Sequence, residues 1–150
     1  MNPAIQATYG KAFCGQLYQR AAGANIPLRI TNERQQVDDW VRLGGGQDSP
    51  LMEFHFQSTR NDCLLYSIWI IQGRDGKQLG ISSNGYLGFY SSAAVKAPWQ
   101  LQPLELTGEG LLCNLLDDKG RRVSELASED RILNVAKGEP CTFLLKLSGK

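Results

Sequence analysis

Apolar and polar positions alternate along most of the chain in short runs, the period that sends successive side chains to opposite faces of a β-strand. "SPLMEFHF" sets Met52, Phe54 and Phe56 on one face. "YSIWIIQ" and "KQLGIS" flank Asp75-Gly76, a pair that tolerates positive φ and marks a hairpin turn. Asn84-Gly85 turns the chain again before "YLGFY", and "APWQLQPLEL" reads as a further strand that begins after a proline.

The same order of strands and turns recurs. "LLCNLLDDKGRRVSEL" gives strand, Asp118-Lys119-Gly120 turn and strand, and "DRILNVAKGEPCTFLLKL" ends in a strand alternating Cys141, Phe143, Leu145 and Leu147. "FCGQLYQRAAGANIPLRI" is the matching first hairpin. Leu17 to Leu28, Ile68 to Leu79 and Leu112 to Val123 are each 11 residues apart, and Pro50, Pro98 and Pro140 follow the second anchor by 22, 19 and 17 residues. The spacing predicts three units, at about residues 12–57, 58–107 and 108–150, within a single domain.

Three four-strand units in a chain of this length resemble the β-trefoil. The closest local likeness is to fascin-like repeats, carried by Gly76-Lys77-Gln78-Leu79, Asn84-Gly85-Tyr86-Leu87 and Trp99-Gln100-Leu101. The resemblance implies an all-β fold with pseudo-threefold symmetry: a six-strand barrel closed by a hairpin triplet. Leu17, Leu28, Ile68, Leu79, Leu87, Trp99, Leu101, Leu112, Val123, Leu133, Phe143 and Leu145 would form its core. Ricin-type lectins share that fold, but their Q-x-W motif is missing: Ala97-Pro98-Trp99 stands in its place, so their sugar residues do not transfer. Fold alone carries no activity.

Residues 32–43 admit two readings. Asn32 is a candidate helix N-cap with Gln35 three residues on, and Val37, Trp40 and Val41 fall at helical spacing before the glycine run. The repeat instead calls for a third strand, with Asp38-Asp39 at a turn and Val41 and Leu43 on one face.

Charge narrows the partners. With 16 Lys and Arg against 15 Asp and Glu, a net charge of +1 and no like-charge block, the footprint of a nucleic-acid binder is missing. The apolar run from Cys63 to Ile71 is about half of what a membrane span needs. The opening residues do not read as a secretory signal, which points to a cytoplasmic protein, with non-classical export compatible. Cys14, Cys63, Cys113 and Cys141 are widely spaced without C-x-x-C, the pattern of buried free thiols in a reducing compartment; two disulfides in an exported protein are the alternative.

Candidate chemistry is sparse. His55, the single histidine, alternates with Phe54 and Phe56 and so points away from the core. No nucleophile elbow, metal-ligand spacing or phosphate loop is present, and Asp38-Asp39 and Asp117-Asp118 read as turn formers. No catalytic residue, metal or cofactor is expected, and the protein reads as a non-enzymatic binding module.

Sugars are held by an aromatic face and by Asp or Asn side chains that take up hydroxyls. Asp75, Asn84, Tyr86 and Tyr90, on or beside the turns of the second unit, are the carbohydrate-binding candidates. Each has a structural alternative: turn formation for Asp75 and Asn84, barrel closure for the tyrosines. A protein-interaction module, fascin-like or inhibitor-like, is the alternative function, presenting residues 31–48 with Trp40 as anchor and Gly45 in a glycine-rich loop.

Overall fold

A computed structural model describes residues 1–31, 39–45, 48–70, 77–91, 95, 97–127 and 131–148. Among these residues one short helix, α1 (Pro3–Tyr9), precedes thirteen strands: β1 (Phe13–Ala21), β2 (Ala24–Thr31), β3 (Asp39–Leu43), β4 (Met52–Arg60), β5 (Cys63–Ile70), β6 (Lys77–Ile81), β7 (Leu87–Ser91), β8 (Trp99–Leu106), β9 (Leu111–Leu116), β10 (Ser124–Glu125), β11 (Leu133–Asn134), β12 (Glu139–Pro140) and β13 (Phe143–Leu147). The all-β class expected from the alternation holds. No helix among the described residues is long and apolar enough to cross a membrane.

The hairpins arise where the sequence permits a left-handed backbone. β1 and β2 meet across Ala22 (φ 51°) and Gly23 (φ 79°), and β4 and β5 across Asn61 (φ 54°) and Asp62 (φ 62°). Two successive residues of positive φ make the tight turn whose twist suits antiparallel strands.

Ten strands form one antiparallel sheet that closes on itself. The circuit runs β13, β9, β8, β5, β6, β7, β3, β2, β1 and back to β13, with Gly15↔Leu147 to Gln19↔Phe143 as the closing register. β4 is the tenth strand, laid between β1 and β5.

This topology corrects the expected β-trefoil and the fascin-like likeness: the protein is a closed nine-strand antiparallel barrel with one extra strand, and three equivalent four-strand repeats are not shown. The last third departs most. β10, β11 and β12 have two residues each and form a separate sheet ordered β11-β10-β12, which Asn134 of β11 joins to Tyr86 through an isolated antiparallel bridge. The equal 11-residue spacings conceal a difference of face. Leu17 and Ile68 are buried anchors, but Leu112 is half-buried, and Leu111, Cys113 and Leu115 point inward in its place. One residue of offset reverses every side chain on a strand. The other eleven expected core residues are buried.

Residues 39–43 form a strand, with Val41 and Leu43 buried on one face; residues 32–38 lie outside the described residues. Trp99 is buried, and its indole N–H donates to the Leu79 carbonyl at 2.8 Å. Asp117 makes the turn expected of it, its carboxylate accepting from the Lys119 and Arg121 amides at 3.0 and 2.8 Å.

α1 is too short to persist alone and owes its place to packing. Asn2 caps it by accepting from the Ala4 amide at 2.7 Å, with Pro3 in the first turn, while Ile5 and Tyr9 are buried against the barrel. The buried Tyr66 hydroxyl donates to the Tyr9 carbonyl. Phe13 lies flat on Phe54 at 4.8 Å between centroids, and Tyr66 meets both edge-on.

Candidate functional site

Burial of Val41 and Leu43 sends Trp40 to the opposite face of β3. There the ladder sets Trp40 opposite Gly88 of β7. Gly88 carries no side chain, and Tyr86, two residues earlier on the same face, is the diagonal neighbour. The two rings lie 4.9 Å apart, 14° from parallel, each half-buried. Trp40 is expected to anchor a protein partner and Tyr86 to meet a sugar; the fold stacks the two rings into one aromatic pair, each covering part of one face of the other.

The turn that carries Tyr86 is held on several sides. The Ser82 hydroxyl accepts from the Asn84 and Tyr86 amides at 3.3 and 3.1 Å, and the Gly85 amide donates to the Ser82 carbonyl at 2.9 Å. Gly85 has φ 86°, and a Cβ there would stand 2.9 Å from Asn134 Oδ1 and 3.0 Å from Ala136 Cβ, so both conformation and space demand glycine. Asn134 is fully buried; its amide donates to the Asn84 carbonyl at 3.2 Å and accepts from the Ala136 and Lys137 amides at 2.6 and 3.2 Å. Asn84 itself is exposed. Tyr90 is buried, and its hydroxyl donates to the Tyr86 carbonyl at 3.1 Å, so it supports the turn from beneath.

The remaining candidates lie apart. Asp75 lies outside the described residues. Gly45 is exposed at φ 94°, with Arg29 Cδ 3.0 Å from where a Cβ would stand. It borders a cavity of about 690 Å³ with Gln16, Asp48 and Pro50. Gly45 lies two residues past the end of β3, after Gly44 at φ 100°, so the strand that carries Trp40 does not carry it.

Polar ties fix the small sheet beside β3. The Leu43 amide donates to the Arg131 carbonyl at 3.0 Å, and Arg42 bridges to Ile132. Arg131 Nε donates to Glu125 Oε2 at 2.6 Å, and Gln19 Nε2 donates to Glu125 Oε1 at 3.2 Å. The Arg131 hydrogen bond holds the Glu125 carboxyl below the usual carboxylate range against the opposing effect of burial. Burial pushes the neighbouring Cys141 thiol up to about 11.

His55 is exposed on the barrel's outer face, 3.0 Å from Glu53 and stacked on Trp69. The Ser67 hydroxyl, opposite His55 in the ladder, accepts the Trp69 indole N–H at 3.2 Å. Among the described residues no group of three His, Cys, Asp or Glu is placed to hold a metal ion.

Sequence reasoning missed Ser82 and Asn134. Ser82 stands two residues before the Asn84-Gly85 turn, where a hydroxyl can accept turn amides. Asn134 had no such local signal, because its partner Asn84 is 50 residues away. Comparisons of the chain with protein-family models, curated proteins and solved structures found no match.

Proposed function

We propose that the protein is a non-enzymatic carbohydrate-binding module whose binding surface is the Trp40–Tyr86 pair. The parallel packing of these two half-buried rings on neighbouring strands carries the reading. The apolar face of a pyranose lies flat on an aromatic ring, here on a ring face that the stacked neighbour leaves uncovered. Asn84, exposed on the adjoining turn, offers an amide that donates to one hydroxyl and accepts from another. Because Trp40 sits in a ladder and Tyr86 on a clamped turn, little ordering remains to be done on binding. Tyr90 acts through the turn it supports.

A glycan array on the purified, reduced protein tests this reading, with Trp40→Ala and Tyr86→Ala as controls. A defined set of bound sugars, lost in both variants while each stays folded at the assay temperature, is the expected result. A blank array, or binding that survives both substitutions, removes the assignment.

A second reading has one observation in its favour. The cavity beside Gly45, lined by Arg29 and Asp48 with apolar Leu28 and Pro50, has the mixed lining of a protein contact. Pull-down of a specific partner abolished by Gly45→Trp, with sugar binding absent, is the result that would move the assignment there.

A further inference from the structure

β8 changes partners along its length. Trp99, Gln100 and Leu101 pair with β5, but from Gln102 onward the strand pairs only with β9 among the described residues. A bulge between Pro103 and Glu105 follows at once, and Leu104 is the extra residue. Leu104 and Leu106 are left 51% and 43% exposed, an unusual degree for leucines on consecutive outward positions. The start of α1 faces them across a groove of about 530 Å³, with Met1 and Ile5 on one wall and Pro103, Leu104 and Leu106 on the other.

The rim of this groove is acidic. Asp62 and Glu105 line it, and among the described residues no lysine or arginine does, the Met1 ammonium being the cation present. Asp62 meets the Met1 ammonium at 3.4 Å, whereas exposed Glu105 has no ion pair among the described residues. An apolar floor with an unmatched carboxylate complements an apolar side chain beside a cation. Addition of a partner strand is disfavoured here, because Pro103 lacks an N–H and the bulge breaks the edge. The occupant must be held by its side chains.

We propose that this groove docks a peptide segment of a partner protein that presents a bulky apolar residue next to a lysine or arginine. Leu104 and Leu106 receive the apolar side chain and Glu105 the cation. The site is separate from the Trp40–Tyr86 surface and stands or falls independently of it.

Fluorescence anisotropy with three labelled probe peptides tests the proposal on the full chain: one carrying leucine and lysine in a Gly-Ser background, one with lysine replaced by glutamate, and one with leucine replaced by serine. The leucine-lysine peptide is expected to bind at least about tenfold more tightly than either control, equivalent to about 1.4 kcal/mol. Leu104→Ser should weaken it with Tm unchanged. Glu105→Gln, which preserves shape, should weaken it and flatten its dependence on salt. Equal binding of all three probes, no binding, or affinity unaffected by both substitutions overturns the proposal. Preferential binding of phosphatidylserine-containing vesicles would likewise overturn it, in favour of a lipid surface.

Discussion

The buried Asn134 amide donates to the Asn84 carbonyl, 50 residues away, and so ties the turn that carries Tyr86 to the small three-stranded sheet. The same side chain also accepts two backbone amides, from Ala136 and Lys137. Asn134→Ala removes three part-buried hydrogen bonds, to the Asn84 carbonyl and the Ala136 and Lys137 amides, each contributing about 0.5–1.5 kcal/mol net. The expected result is a clear loss of stability in urea titration, with any sugar affinity falling in parallel because Tyr86 loses its support. An unchanged urea midpoint would show that water replaces the side chain and that the turn stands without it.

Trp40 and Tyr86 touch, so substitutions at the two positions should not be additive. In a double-mutant cycle with Trp40→Ala and Tyr86→Ala, a coupling of about 0.5–1.5 kcal/mol is expected for two stacked rings. Each single variant already removes the stacking, so the double variant should be less destabilised than the sum of the two. Strict additivity of the urea-derived free energies would mean that the rings are neighbours without energetic contact.

How much of this was legible in the sequence follows from the range of each interaction. Alternation and turn residues act within a few positions, and they located the strands around Met52–Phe56 and Trp99–Leu101 and the turn at Asn84-Gly85. Burial of Val41 and Leu43 on one face was legible for the same reason. The short helix carried a local signal too, in Asn2 followed by Pro3, but seven residues against a barrel leave a weak pattern. Pairing between distant strands has no such signature. Equal spacing at Leu17, Ile68 and Leu112 suggested three equivalent units, yet the third is offset by one residue, and its short strands pair in a separate sheet. The candidate residues of the site were legible as types. That Trp40 joins Tyr86 rather than Gly45 depends on the β3–β7 ladder, which no local pattern encodes.

The Glu125–Arg131 pair gives the fold an acid-sensitive tie. The folded carboxyl titrates below its ordinary value of 4.5, chiefly because Arg131 donates to it at 2.6 Å. A carboxyl depressed in the folded state stabilises the protein above its unfolded pKa and loses that contribution as pH falls through the folded one. The urea midpoint of the wild type should therefore fall on acidification below about pH 4.5, and Glu125→Gln should fall less over the same range. Parallel curves for the two proteins would remove Glu125 as a source of acid sensitivity.

Thiol reactivity should separate the four cysteines by environment, because the thiolate is the nucleophile and burial both hides and disfavours it. Cys141 is buried, with its thiol pushed up to about 11. Burial also raises Cys113 and Cys63, and the nearby Asp62 charge adds to the effect on Cys63. Cys14 is half-buried, the most accessible of the four. Brief treatment of the native protein with iodoacetamide at mildly alkaline pH, read by peptide mass spectrometry, should modify Cys14 first and leave the other three protected; in denaturant all four should react. Modification of Cys141 as fast as Cys14 in the native protein would mean that the segment between β12 and β13 opens readily. In that case the contact of Gln19 with Cys141 at 3.6 Å would not hold the small sheet against the barrel.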